Sequence, residues 1–126
     1  MQVADTSFLY ALFSRTDEFH ARALKDARGV ESLLIPAEIL SETIALIQYR
    51  QGSPAARSAG AWIQGRQGIQ LGLPSRRILA RAWRTYDSSR GRVSYPDAVV
   101  LAWCAARAAL PLAYDSAILR MSREAG

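Results

Sequence analysis

Four short apolar segments, separated by stretches with helical spacing, restrict this chain to a small set of folds. Gln2 to Asp5 reads as a buried strand. Ser32 to Ile35 reads as a second, closed by Pro36. Ile69 to Leu73 alternates and is expected to be a third, and Pro111 to Tyr114 a last strand. Between them, Thr6 to Ser14 carries Phe8, Leu9, Leu12 and Phe13 at helical intervals, and Asp17 to Arg28 is a second expected helix, ended by Gly29. Ala37 to Arg50 is a helix ended by Gly52. Pro54 starts another, which runs to about Gln67, because its missing N–H is harmless in a first turn. Ser75 caps a helix through Ser88, Ser94 or Tyr95 leads into a buried one, and Asp115 to Arg123 is expected to close the chain. Strands alternating with helices predict an α/β layered domain with a mostly parallel sheet. With no repeat and no long linker, residues 1–126 are expected to form a single domain.

Four carboxylates stand where ionised groups are costly. Asp5 ends the apolar opening, Asp115 follows Leu110 to Tyr114, and Asp97 opens the run from Ala98 to Ala106. Glu42 lies among Ile39, Leu40, Ile44 and Ile47. Such acids need partners or they neutralise. The chain has a single lysine, Lys25, and a single histidine, His20. A divalent metal satisfies several acids at once, since Mg²⁺ takes oxygen ligands and keeps several waters. In parallel sheets ligands bind beyond the carboxyl ends of the strands, where Asp5 and Asp115 are expected. Asp97 is expected in the first turn of its helix, a position that favours an anion, and Glu42 about a turn and a half into its own. The plainer reading of Asp97 and Asp115 is helix N-capping.

Charge distribution adds a substrate class. From Thr43 to Tyr95 there are nine arginines and one acid, Asp87, so the segment carries +8; with +5 overall, the remainder carries −3. An arginine-rich stretch beside an acidic site suits a phosphodiester. Arg77, Arg81 and Arg84 share a helical face and are candidate RNA contacts, with solvated surface the alternative. His20 is expected at the surface, which argues against histidine-based chemistry. Trp62, Trp83 and Trp103 are expected to pack in the core or an interface. Cys104 sits in an apolar run, is expected to be a buried structural thiol, and excludes an internal disulfide. No apolar run approaches the roughly 18–20 residues of a membrane span. No secretory signal is read, so a cytoplasmic location is expected.

The segments Val3-Ala4-Asp5-Thr6-Ser7, Leu40-Ser41-Glu42-Thr43, Ser94-Tyr95-Pro96-Asp97-Ala98 and Ala113-Tyr114-Asp115 resemble, in content and order, those of PIN-domain ribonucleases. The resemblance is greatest to the small VapC-type toxins of prokaryotic toxin–antitoxin pairs. It covers essentially the whole chain. It implies a three-layer α/β/α sandwich and a Mg²⁺-dependent endoribonuclease, with Mn²⁺ able to substitute. Asp5, Glu42, Asp97 and Asp115 would be the catalytic acids, with Asp5, Asp97 and Asp115 holding metal and Glu42 orienting the attacking water or coordinating through it. Thr6 and Ser7 would orient carboxylates or cap the following helix. RNA substrate, a cognate antitoxin and a homodimer are the implied partners, with no membrane. Glu38 shares a helix face with Glu42; the family pattern favours Glu42, leaving Glu38 as a first-turn acid suited to the helix dipole.

Three rival functions bear on the same residues. A phosphoacceptor domain needs an acid pair near the first strand and a late lysine, and neither is present. A nonenzymatic RNA-binding scaffold on a PIN fold is disfavoured by the full set of acids. DNA or flap nucleases carry more acids and further domains.

Overall fold

The computed structural model describes residues 1–114 and 116–125. Four strands, β1 (Gln2–Ala4), β2 (Leu33–Pro36), β3 (Ile69–Gly72) and β4 (Leu110–Leu112), form one sheet in the order β3-β2-β1-β4. All three pairings are parallel, so every connection must cross the sheet, and helices supply the crossings. The crossing helices are α1 (Thr6–Phe13), α2 (His20–Gly29), α3 (Ala37–Gln51), α4 (Ser53–Gly65), α5 (Arg76–Ser89) and α6 (Tyr95–Arg107), and α7 (Ser116–Ala125) follows β4. The first two crossovers step from β1 to β2 and from β2 to β3; the third returns past β1 to β4. Because such crossovers are right-handed, reversing direction puts α1 to α4 on one face and α5 and α6 on the other. The expected three-layer sandwich follows, and its strand order reverses between β1 and β4, the switch point where such sheets bind ligands.

Some element bounds differ from the sequence reading for local reasons. β1 stops at Ala4 because Asp5 leaves the strand to cap α1. Asp17 does not open α2; its carboxylate accepts the Phe19 N–H at 2.9 Å in a turn, and the helix starts at His20. His20 is half-buried rather than on the surface. Its Nδ1 lies 2.7 Å from the Ala11 carbonyl and ties α2 to α1. Pro36 ends β2 and is followed directly by α3. Asp115 lies outside the described residues, so the start expected for the last helix is not tested there.

The core joins both layers through the sheet: Phe8 and Leu9 from α1, Leu34 and Ile35 from β2, Ile39 from α3, and Val99 and Val100 from α6 are all fully buried. Trp103 packs so closely on the end of β3 that a Cβ at Gly72 would stand 3.0 Å from its ring and 2.8 Å from Leu34 Cδ2. That approach is the reason for glycine there. Cys104 is buried in the same layer, and burial pushes its thiol up to about 12. Thiolate is the reactive form, so an aromatic disulfide reagent at pH 8 is expected to leave Cys104 unmodified in the native protein and to titrate one thiol in guanidinium. Rapid native modification would show that this layer opens. Among the described residues no helix is long and apolar enough to cross a membrane.

Candidate active site

The carboxyl edge of β1 is organised by hydrogen bonds between residues far apart in sequence. Val3 is level with Leu34 and Ala4 with Leu112. Asp5, one step further, therefore stands between Pro36 and Ala113, and its N–H donates to the Leu112 carbonyl at 3.1 Å. Its side chain is only 4% exposed. Oδ2 accepts the Ser7 N–H at 3.1 Å and the Ser7 hydroxyl at 2.6 Å, which makes Asp5 the N-cap of α1. The same Ser7 hydroxyl accepts the Tyr114 N–H at 2.8 Å, so one side chain links the ends of β1 and β4.

Tyr114 is fastened at its other end as well. Its hydroxyl donates to Asp26 Oδ2 at 2.7 Å, its ring stacks on Phe19 at 5.0 Å, and Arg22 lies 4.8 Å above it. Burial, with the hydrogen bond and negative charge of Asp26, pushes the Tyr114 phenol well above its ordinary value and keeps it a neutral donor. Neither Tyr114 nor Asp26 stood out in the sequence as a site residue, because their meeting joins α2 to the chain after β4.

Glu42 lies in the second turn of α3, exposed, and accepts a hydrogen bond from the Thr6 hydroxyl at the first position of α1. Thr6 and Ser7 thus each contact a different acid. Asp97 is in the first turn of α6. Ser94 is the N-cap: its hydroxyl accepts the Asp97 N–H at 3.2 Å, and Asp97 Oδ2 accepts the Ser94 N–H at 3.3 Å. The N-cap role weighed for Asp97 therefore belongs to Ser94, and Asp97 is the reciprocal acid of a capping box. Since α6 ends at Arg107, packs on β1 and β4, and leads into β4 at Leu110, its first turn lies at the carboxyl edge of the sheet. Asp5, Glu42 and Asp97 are thereby placed at one edge. The fourth predicted acid, Asp115, lies outside the described residues.

Among the described residues no three His, Cys, Asp or Glu side chains are close enough to form a metal site by themselves. The donors at this edge are nonetheless carboxylate oxygens, which suit hard cations such as Mg²⁺ or Mn²⁺. Mg²⁺ commonly uses only one or two carboxylates together with waters and substrate phosphates. One shielded oxygen, Glu38 Oε1 in the first turn of α3, has no hydrogen-bond partner. By these tests the residues fit a divalent ion.

The arginines are less evenly placed than the sequence implied. A short turn from Arg90 to Ser94 joins α5 to α6, so the C-terminal end of α5 adjoins Asp97. At about 1.5 Å per residue, Arg77 lies some 18 Å down α5 from Ser89 and Arg84 only about 8 Å. Arg81 is half-buried and lines a groove of about 410 Å³ with Cys104 and Met121. Arg90 and Arg92, in the turn itself, are exposed beside the site; Arg92 Nε donates to the Ser89 carbonyl at 3.1 Å. They belong to the charged stretch of the sequence, and the short turn between α5 and α6 keeps them within seven residues of Asp97. Of the tryptophans, Trp103 is in the core, Trp62 packs edge-on to Phe13, and Trp83 is exposed.

The chain matches the family described as PIN domain over residues 3–124. Its structure is similar to the crystal structure of Mycobacterium tuberculosis VapC20, a Sarcin-Ricin loop cleaving toxin. The TM-score is 0.86 at 22% identity, over 96% of this chain and 95% of that one. No curated protein matches its sequence.

Proposed function

The chain belongs to the PIN-domain family, and we propose that it is a Mg²⁺-dependent endoribonuclease, the toxin of a type II toxin–antitoxin pair. The observation that carries this reading is the placement of Asp5, Glu42 and Asp97 at the carboxyl edge beside the β1/β4 switch point, with arginines in the adjoining turn. A divalent ion, when bound there, supplies charge neutralisation for the phosphodiester and an activated water. Asp5 and Asp97 are assigned to hold it, with Asp115 completing the set; Mn²⁺ substitutes. Glu42 orients the attacking water, its own carboxylate steadied by Thr6. Ser7 aims the Asp5 carboxylate through its N–H and hydroxyl. Arg84, Arg90 and Arg92 bind the RNA backbone nearest the site, while Arg77 and Arg81 extend the contact along α5. A cognate antitoxin, a homodimer and a cytoplasmic setting belong to the same reading. The exposed apolar stripe of Leu79, Trp83 and Tyr86 on α5 supports association with a second chain.

The direct test is incubation of the purified, antitoxin-free protein with labelled structured RNAs in Mg²⁺, Mn²⁺ or EDTA, with matched DNA in parallel. Cleavage of RNA only, and only with metal, is expected. A folded protein that binds RNA without cutting it would support the nonenzymatic scaffold instead. Ser7→Ala is expected to lower cleavage about 10–100-fold, the usual effect of losing a group that orients a metal ligand. A titration of rate against Mg²⁺ checks it: the lost orientation should shift the curve to higher metal, and an unshifted curve with normal rate would remove Ser7 from the site.

A further inference from the structure

We propose that Glu38 is a fifth acid of this site, a ligand to its divalent ion either directly or through a bound water. The inference rests on the metal-dependent reading above but concerns a residue outside the four acids of the family pattern. Glu38 Oε1 is shielded from solvent and accepts no hydrogen bond. Among the described residues no Arg, Lys or His is within ion-pair distance of it, the one such pair being Arg22 with Asp26. A shielded carboxylate oxygen with no donor is unfavourable by itself and calls for a ligand. A helix-dipole role alone leaves this unexplained, because no N–H of the first turn of α3 reaches the oxygen.

Its position supplies the ligand. The β1–β2 register puts Asp5 level with Pro36, two residues before Glu38. Glu38 shares a face of α3 with Glu42, one turn on, and Glu42 is bonded to Thr6, the neighbour of Asp5. Glu38 therefore flanks Asp5 on the β2 side, as the chain after β4 flanks it on the other. A hard cation takes oxygen donors, and one shared by Asp5 and Glu38 would satisfy the orphaned oxygen and be held from the segments that follow two adjacent strands.

Glu38→Gln keeps the shape and removes the charge. Mn²⁺ binding followed by the loss of the free-ion electron paramagnetic resonance signal, and thermal unfolding in EDTA and in Mn²⁺, test the assignment without relying on RNA cleavage. The variant is expected to bind Mn²⁺ about 10–100-fold more weakly. In EDTA it should unfold at the same temperature as the wild type or higher, because an unpaired charge has gone, and Mn²⁺ should raise its unfolding temperature less. Unchanged Mn²⁺ affinity would overturn the assignment while leaving the nuclease reading intact; so would a variant destabilised in EDTA with its Mn²⁺-induced shift preserved. Glu38→Asp, which retains a shorter carboxylate, serves if the Gln variant misfolds: it should bind Mn²⁺ with intermediate affinity, and wild-type affinity with wild-type stability would again overturn the assignment. A wild type that binds Mn²⁺ yet cuts no RNA would sink the nuclease reading and leave the Glu38 result standing. A wild type that binds no Mn²⁺ overturns both.

Discussion

Asp97→Asn is expected to lower metal-dependent RNA cleavage by about 10²–10³-fold, the scale on which losing one preorganised electrostatic group of an active site is felt. Asparagine keeps the size of aspartate and an oxygen able to accept the Ser94 N–H. The capping box that starts α6 should therefore survive, with a helix cost of about 1 kcal/mol or less. What disappears is the negative charge. The expected signature is a protein with wild-type circular dichroism and nearly unchanged melting temperature, weakened Mn²⁺ binding, and cleavage that excess Mn²⁺ restores only in part. A folded Asp97→Asn protein that cuts RNA at the wild-type rate would place the chemistry elsewhere on the molecule.

Phe8→Ala should produce the largest loss of stability. Phe8 is fully buried on α1 beneath the site. Its ring lies 6.2 Å from that of Tyr114 in an edge-on arrangement, with Phe19 stacked on the same Tyr114 ring. Removing it deletes transfer free energy and opens a void, together about 3–5 kcal/mol. Relaxation is limited, because a cavity of about 50 Å³ already borders Phe8, Leu12 and Trp62 and the neighbours are anchored in helices. Against a typical domain stability of about 5–15 kcal/mol, a drop in melting temperature of roughly 10–20 °C is expected by circular dichroism. The site should suffer too, since Tyr114 would lose a wall and its N–H holds the Ser7 hydroxyl. A melting temperature within a few degrees of wild type would mean that the surroundings collapse onto the vacancy.

Both expectations combine local and long-range information, and the chain expresses the two unequally. The elements were legible because each is written in a few adjacent residues: Phe8, Leu9 and Leu12 at helical intervals, Ser75 before α5, Gly52 after α3, and Pro54 in the first turn of α4. Even the edge strand Ile69–Gly72 showed in its alternation. The acids stood out because an ionised carboxylate beside apolar residues demands a partner, and their order carried the resemblance to PIN domains. Arg77 seemed as good an RNA contact as Arg84 because a helix wheel records face but not distance along the axis to a site on another helix.

The amino-acid sequence by itself determined the alternating strand–helix order, the acids offered at element ends, and the family, since periodicity, capping and burial cost act over a few residues. Only the tertiary structure decided the strand order β3-β2-β1-β4 and hence where the switch point falls. It alone decided that Thr6 meets Glu42 across 36 residues, Tyr114 meets Asp26 across 88, and Ser7 meets Tyr114 across 107. It also decided that Ser94 rather than Asp97 caps α6, and that Glu38 keeps a shielded oxygen without a donor. These are outcomes of packing: whether a polar atom finds a partner depends on which distant backbone reaches it, and the chain settles that only when the sheet and its two helical layers close together.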